Sequence, residues 1–168
     1  MSSSDRRQFL RLTAAAALVA TVAGCGFTPA YAPGAGGTAL LNRVRMDDPK
    51  TPDEFALTRR LAERLGPTKA PAYRLAYTVE TRAIGQAITT DNATTRYSLS
   101  GSASYSLRDA QTDALLLNGE VSSFTSWSAS GSTVSTRTAE DDAHVRLMRI
   151  LADQIVTRLL ATSSSLPR

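Results

Sequence analysis

Cys25 is the only cysteine in this chain of 168 residues, and it directly follows Val22, Ala23 and Gly24. An aliphatic residue three positions before a cysteine, with small residues between them, matches the lipobox of bacterial lipoproteins. On this interpretation signal peptidase II cleaves between Gly24 and Cys25. The Cys25 sulfur then carries a diacylglycerol thioether and the new amine carries an N-acyl chain, which leaves no thiol for a disulfide or for catalysis. The alternative is an ordinary buried cysteine at the end of a helix.

The segment before the cysteine has the pattern of a bacterial export signal. Arg6-Arg7 forms a basic start, and the apolar run over residues 12–23 is shorter than the roughly 20 residues that a membrane-spanning helix requires. We therefore predict a lipoprotein signal peptide over residues 1–24, for which general secretion and twin-arginine export both remain open. Gly26 differs from the aspartate that retains many lipoproteins at the inner membrane. We expect a lipid-anchored protein on the periplasmic face of the outer membrane.

The formal net charge of +4 comes in part from this predicted signal peptide. Its removal takes three arginines and one aspartate, so that 16 basic and 14 acidic side chains remain. Nucleic acids bind strongly basic surfaces, so the nearly equal numbers of basic and acidic side chains argue against nucleic acid as a partner.

His144 is the only histidine, and it lies four residues after Glu140 on a predicted helix. A metal site needs more ligands than this pair supplies, and a catalytic triad needs a nucleophile that the sequence does not place beside His144. The chain also has no phosphate-binding loop and no G-x-S-x-G motif. We therefore predict no catalytic activity, no metal and no cofactor apart from the covalent lipid. His144 is expected to be a solvated helix residue with an occasional carboxylate contact.

Capping residues and apolar spacing predict two amphipathic helices. The first begins with a capping box and ends at Gly66-Pro67, and the second begins near Thr138 after a loop over residues 128–135, with acidic residues in its first turn. The residues that carry these signals are Thr51, Pro52 and Glu54 in the first helix, and Glu140, Asp141 and Asp142 in the second.

Alternating polar and apolar residues predict three consecutive strands between the helices, over residues 72–82, 94–108 and 115–127. Loops are expected over residues 85–92 and 109–113, with an extension of the strand through Ala87-Ile88-Thr89 as the alternative to the first loop. A short first strand is predicted at Thr38–Val44. The order strand, helix, three strands, helix predicts an α+β fold. We expect a two-layer sandwich, with both helices on one face of a roughly four-stranded mixed or antiparallel sheet.

The mature chain is predicted to have three parts. Prolines and glycines favour an extended lipidated tether over residues 25–38. The α+β domain follows over residues 39–162, and residues 163–168 are expected to form a frayed tail.

Four arginines share the polar side of the predicted strands. Strand alternation places Arg74, Arg82, Arg96 and Arg108 on the sheet face opposite the helices, among many serines. One interpretation is a solvated surface that scattered charges keep soluble. The other is a surface that contacts anions or docks a protein, since arginine binds phosphate bidentately and serine adds hydrogen-bond donors.

The cysteine-proximal stretch CGFTPAYAP (Cys25–Pro33), the short signal and the element order after them resemble the LptE family of lipopolysaccharide-assembly lipoproteins. The opening SSSDRRQFL and the CGF-P-Y-P pattern are most similar to alphaproteobacterial members. The resemblance implies an LptE-like α+β domain over residues 39–162. It also implies a non-enzymatic component of the outer-membrane lipopolysaccharide translocon.

LptE-like proteins form a plug within the β-barrel LptD, assist assembly of that barrel and contact lipopolysaccharide on its way to the outer leaflet. The expected partners are therefore an LptD-like barrel, lipopolysaccharide and the membrane that holds the anchor. A second hypothesis is a transport-auxiliary or envelope-integrity scaffold without a barrel partner. An anchored hydrolase is disfavoured because no catalytic constellation is present in the sequence.

Overall fold

A computed structural model of the protein describes residues 36–88, 94–129 and 131–166. The predicted signal peptide, the Gly24–Cys25 cleavage site and the tether up to residue 35 lie outside these residues. The helices and strands, in chain order, are β1 (Val44–Met46), α1 (Pro52–Leu65), β2 (Tyr73–Ile88), β3 (Thr94–Asp109), β4 (Leu115–Ser128) and α2 (Thr133–Thr162).

The four strands form one open mixed sheet in the order β1-β2-β3-β4. β1 pairs with β2 in parallel, because α1 connects them, and the other neighbours are antiparallel. Both helices pack on one face, so the predicted α+β fold is confirmed. The predicted first strand at Thr38–Val44 is wrong in position: Gly36–Ala39 forms a 3₁₀ turn and Asn42 has a φ of 60°, which interrupts an extended chain.

The period-two pattern divides the sheet into two faces. Register sets Leu75 of β2 opposite Leu107 of β3, and Leu107 opposite Leu117 of β4, so the odd-numbered residues share one face. That face is covered by the helices. Its buried members include Leu75, Leu99, Ala103, Tyr105, Leu107 and Val121. The even-numbered residues lie on the opposite face, which we call the open face.

α1 has the predicted start and end. The Thr51 hydroxyl accepts a hydrogen bond from the backbone N–H of Glu54, at 3.2 Å. The Glu54 carboxylate accepts from the backbone N–H of Lys50, at 2.6 Å, so the reciprocal bond of the predicted capping box falls one residue earlier than expected. Leu57, Leu61 and Leu65 are buried, as their four-residue spacing predicts.

α2 begins at Thr133, five residues before the predicted start. The Ser132 hydroxyl accepts from the backbone N–H of Ser135 and so caps the helix inside the stretch that was predicted to be a loop. The acidic residues 140–142 therefore lie beyond the first turn, so their predicted place in the first turn, where the helix dipole favours them, is wrong. The interior residues of α2 pack on the sheet and on α1, with Leu147, Leu151, Ile155 and Leu159 fully buried.

The residues after α2 differ from the predicted frayed tail. Ser163–Ser165 forms a 3₁₀ turn, and the side chains of Ser163 and Leu166 are buried. Leu166 thus extends the apolar core past the end of α2.

β2 runs to Ile88 and pairs with β3 as far as Thr94, well past the predicted end at Arg82. Residues 81–86 of β2 are all exposed on both faces. The last part of β2 is therefore solvated on both faces, and alternation alone could not place the end of the strand there.

Candidate functional site

The register places all four predicted arginines on the open face. Arg74 lies opposite Arg108, Arg82 opposite Ser100, and Arg96 opposite Ser128. Cross-strand partners share a face, so the four guanidinium groups project to the same side of the sheet.

The structure separates these arginines into two pairs. Arg82 lies eight residues after Arg74 in β2, which is about 26 Å at roughly 3.3 Å per residue. Arg74 and Arg108 occupy the end of the sheet near β1, and we call them the proximal arginines. Arg82 and Arg96 occupy the end of the β2–β3 hairpin, and we call them the distal arginines.

The proximal arginines already have carboxylate partners. Arg74 donates from Nε and Nη2 to the two carboxylate oxygens of Asp47, at 2.7 and 3.2 Å. These hydrogen bonds and the Asp47 charge raise the pKa of Arg74. Arg108 donates from Nη1 to the backbone carbonyl of Asp113 at 2.9 Å and lies 3.4 Å from its carboxylate. An anionic ligand at this end would have to displace these bonds.

A groove of about 830 Å³ beside the proximal arginines carries charges of both signs. Tyr77 lies in its wall and donates from its hydroxyl to the backbone carbonyl of Asp47, at 2.9 Å. Burial, followed by the charges of Glu54, Asp47 and Asp48, raises the pKa of Tyr77 to about 12. The carboxylates at this end make it a poor site for phosphate.

The distal arginines are exposed and have no carboxylate partner within the described residues. The Ser100 hydroxyl, opposite Arg82, donates to the Arg82 backbone carbonyl at 3.2 Å. This hydrogen bond does not involve the Arg82 guanidinium. Serines surround the distal arginines on the open face: Ser98, Ser100, Ser102, Ser122 and Ser126. This end therefore carries two arginines without an ion-paired carboxylate among small hydroxyl groups, with the exposed Glu80 two residues before Arg82 on the same face.

Two large apolar side chains lie beside the distal arginines, and the sequence analysis missed both. Phe124 is 71% exposed. It lies opposite Ser100 of β3, which in turn lies opposite Arg82 of β2, so the three residues form a row across the sheet. Ile84 is 45% exposed and lies two residues after Arg82 on the same face. An aromatic residue on the polar side of the alternation in SSFTSW was the signal available in the sequence.

These residues form one amphipathic surface, which we call the distal patch: Arg82, Ile84, Arg96, Ser100 and Phe124. A shallow groove of about 700 Å³ runs over it between Arg82 and Phe124. Guanidinium groups bind phosphate, and exposed aromatic and aliphatic groups bind hydrocarbon. The distal patch therefore suits an anionic amphiphile better than a fully polar ligand.

His144 has a structural contact that the sequence analysis underestimated. Its Nδ1 lies 2.8 and 3.0 Å from the two carboxylate oxygens of Asp53 at the start of α1. The Thr81 hydroxyl of β2 donates to the same carboxylate, at 3.3 Å. Asp53 thus connects both helices to the sheet. In the described part of the chain, no cluster of three or more histidine, cysteine or carboxylate side chains is arranged to hold a metal ion.

The family model of LptE, described as lipopolysaccharide-assembly, matches residues 41–159. The match begins just before β1 and ends in the last turn of α2, so it covers the whole sheet, all of α1 and most of α2. No curated protein sequence matches the chain significantly.

Solved structures of bacterial lipoproteins share the fold. A candidate lipoprotein of Caulobacter crescentus CB15 has a TM-score of 0.66 at 17% identity, covering 76% of this chain and 96% of its own. Rare lipoprotein B of Shewanella oneidensis has a TM-score of 0.55 at 10% identity, covering 73% and 96%. Lipoprotein B of Nitrosomonas europaea has a TM-score of 0.55 at 14% identity, covering 73% and 84%. At these identities the likeness shows the fold.

Neither helix in the described part of the chain has the length and apolar character needed to cross a membrane.

Proposed function

The chain belongs to the LptE family of lipopolysaccharide-assembly proteins, and from this membership we propose that it is a non-enzymatic component of the outer-membrane lipopolysaccharide translocon. The observation that carries the proposal is the extent of the family match, which includes every strand of the sheet. Members of this family are outer-membrane lipoproteins.

The proposed protein partner is an LptD-like β-barrel, within which the domain acts as a plug and assists assembly. The open face supports this role because serines line much of it, as packing against the polar interior of a large barrel requires. Small hydroxyl side chains can exchange their hydrogen bonds with water for hydrogen bonds to the barrel wall.

Co-purification tests the barrel partner. We expect the tagged full-length protein, extracted in mild detergent, to retain a heat-modifiable outer-membrane barrel, and we expect its depletion to lower the amount of mature barrel in the outer membrane. A matched extraction of an unrelated tagged lipoprotein controls for co-solubilised barrels. If no barrel is retained and barrel levels are unchanged, the periplasmic scaffold hypothesis replaces the plug.

The proposed anchor is the lipid on Cys25, which holds the domain at the periplasmic face of the outer membrane after cleavage between Gly24 and Cys25. Two or three acyl chains, at about 0.8 kcal/mol for each buried methylene, give lasting attachment. Cys25→Ala should abolish incorporation of labelled palmitate while the purified domain retains its circular dichroism spectrum. Persistent label in Cys25→Ala would contradict the proposed lipobox.

The proposed glycolipid contact is the distal patch. Lipid A combines phosphate groups with hydrocarbon chains, and the distal patch combines Arg82 and Arg96 with Phe124 and Ile84. Strand alternation alone predicts the same role for all four arginines. The Asp47 and Asp113 partners now make Arg74 and Arg108 the weaker candidates.

A further inference from the structure

Most of β2 forms an edge of the sheet, because β1 pairs only with Tyr73–Leu75 at its start. Just after β1, the Asp47 N–H donates to the Leu75 carbonyl at 3.1 Å. On the opposite side of β2, the Ala110 N–H donates to the Ala72 carbonyl at 2.9 Å. Main-chain groups alternate in direction along a strand, so the odd-numbered residues of β2 turn their N–H and C=O groups away from β3.

The outward main-chain groups of Val79, Thr81 and Ala83 are open, and we call residues 79–83 the β2 edge. Within the described residues, no group forms a hydrogen bond with the N–H or C=O of these three residues. Thr81 and Ala83 are exposed, and Val79 is partly exposed. The β2 edge contains no proline or lysine, and the bulge of β2 comes later, between Gly85 and Ala87. Its backbone is therefore available to an added strand.

Glu80 and Arg82 are the two charged residues of the β2 edge, and they determine which strand can pair there. Both are exposed on the open face, opposite Ser102 and Ser100 of β3. Neither forms an ion pair within the described residues. An added strand is therefore favoured if it sets a basic residue opposite Glu80 and an acidic residue opposite Arg82.

A second copy of β2 meets this requirement in one register. Antiparallel hydrogen bonding between two β2 edges requires odd-numbered residues to face odd-numbered residues. When Thr81 faces Thr81, each Glu80 faces Arg82 of the other copy. The next register in one direction sets Glu80 opposite Glu80, and the next in the other direction sets Arg82 opposite Arg82. Because like charges in direct opposition are destabilising, the charges select the register centred on Thr81.

The helix-covered side of the β2 edge needs no new partner in this register. The two Thr81 side chains meet there at the two-fold axis. Each Thr81 hydroxyl donates to Asp53 of its own copy, at 3.3 Å. The Asp53 carboxylate also contacts His144 of α2, at 2.8 Å, and is 19% exposed. Asp53 thus keeps its hydrogen-bond partners within its own copy.

We propose that two copies of this chain associate through their β2 edges, antiparallel, with Thr81 opposite Thr81. The pairing joins two four-stranded sheets into one continuous sheet. Val79 lies opposite Ala83 at both ends, and the three facing residue pairs form about six main-chain hydrogen bonds. Two Glu80–Arg82 ion pairs flank the axis on the open face. The inference does not rest on the proposed glycolipid contact, although both use Arg82.

Charge exchange tests the register. Sedimentation equilibrium follows the full-length protein in density-matched detergent, from micromolar to millimolar concentration. Lipopolysaccharide is omitted because it would compete for Arg82, and no barrel is present because a barrel around one copy would exclude the other. Glu80→Arg sets two arginines opposite each other, and Arg82→Glu sets two glutamates opposite each other. Each single variant should dimerise about tenfold more weakly or worse.

Recombining the exchanged charges should restore the dimer. In an equimolar mixture of the two single variants, every arginine at these positions faces a glutamate of the other copy. The double variant Glu80→Arg with Arg82→Glu restores the same opposition within one chain and should dimerise within about threefold of the parent protein. Circular dichroism verifies that all three variants are folded.

Three outcomes of these measurements overturn the proposal. The first is a parent protein that stays monomeric over the whole concentration range. The second is equal association of the parent and the single variants, which is expected of copies that merely share a detergent micelle. The third is failure of both the mixture and the double variant to recover association.

Hydrogen exchange and a proline substitution test the main-chain bonds. The Val79, Thr81 and Ala83 amides should exchange more slowly as protein concentration rises. Ala83→Pro removes one outward N–H without removing a bond to β3, and should weaken dimerisation about tenfold. Ala83→Ser keeps that N–H and should remain within about threefold of the parent protein. Concentration-dependent protection confined to another part of the chain, or parent-like dimerisation of Ala83→Pro, contradicts pairing through the β2 edge.

Discussion

Arg74 lies directly opposite Arg108 in the pairing of β2 with β3, and each guanidinium is held by a separate carboxylate. Two adjacent arginines repel each other unless counter-charges are close, and Asp47 and Asp113 supply those charges. The proximal arginines are therefore satisfied within the protein. The distal arginines are the ones available to an external anion.

Replacing the distal arginines should weaken lipopolysaccharide binding more than replacing the proximal ones. Arg82→Ser with Arg96→Ser should reduce capture of lipopolysaccharide by the immobilised full-length protein about tenfold or more, or roughly 1.4 kcal/mol. Arg74→Ser with Arg108→Ser is the matched control and should change capture by less than about threefold. Thermal unfolding should show that the distal double variant remains folded. If the two double variants lose lipopolysaccharide capture equally, the distal patch has no special role in binding.

Gly101 lies on the sheet directly below Leu147 of α2. A Cβ at this position would lie 2.9 Å from Leu147 Cδ2 and 3.2 Å from the Glu80 carbonyl oxygen. Gly101→Ala should lower the free energy of unfolding by about 1–3 kcal/mol, because the side chain or the backbone must shift. Urea denaturation measures the change, and Ser102→Ala on the open face should change it by less than about 0.5 kcal/mol. A neutral Gly101→Ala would show that α2 moves away without cost.

Tyr77 should make the protein sensitive to alkali. Its pKa is raised from 10.0 to about 12, first by burial. A group with a raised folded pKa contributes stability that is fully present below the unfolded pKa and is lost as pH rises through the folded value. The parent protein should therefore lose stability between pH 10 and 12 more steeply than Tyr77→Phe. In Tyr77→Phe, the tyrosinate absorbance should lose a component that titrates near pH 12. An unchanged absorbance titration would contradict the raised pKa of Tyr77.

Asp109 should contribute to acid sensitivity. Its carboxylate accepts hydrogen bonds from the backbone N–H groups of Thr112 and Gln111, both at 2.9 Å, and these bonds lower its pKa below 3.8. A lowered folded pKa stabilises the protein above the unfolded value, and this contribution is lost as pH falls through the folded one. The stability difference between the parent and Asp109→Asn should thus shrink below about pH 3.8. The asparagine side chain keeps an oxygen that can accept the hydrogen bonds of the turn. If the stability difference between the two proteins does not change with pH, the substitution acts through the shape of the turn and not through the charge of Asp109.

His144 and Asp53 should stabilise the domain cooperatively. Their contact joins α2 to the first turn of α1, and both side chains are partly buried. Each single alanine variant should lower the free energy of unfolding, and a double-mutant cycle should give a coupling of about 0.5–1 kcal/mol. Glu140→Ala, one turn earlier on α2, is the control. Strictly additive losses would show that the contact does not form in solution.

Local signals were sufficient for part of this fold. Thr51 and Pro52 specify the start of α1 and Gly66 specifies its end. The capping hydrogen bonds of Thr51 and Gly66 join residues three or four apart in the chain, so a local pattern predicts them. The alternation in β3 is maintained over the whole strand because one face is covered, so the sequence correctly predicted which side each of the four arginines occupies. The family resemblance was also available from the residues around Cys25 and from the order of the elements.

Other features depended on contacts that are distant in the chain. The start of α2 was missed because a serine-rich stretch favours a loop by composition, whereas Ser132 caps the helix there. The partner of Arg74 lies 27 residues away, and that of His144 lies 91 residues away.

The sequence by itself determined the helices, the strand faces and the family, because caps and periodicity act over a few residues. Only the tertiary structure decided which arginines are paired with carboxylates and that Phe124 lies in a row with Arg82. Those properties follow from strand register and from helix placement on the sheet, which bring together residues that no local pattern connects.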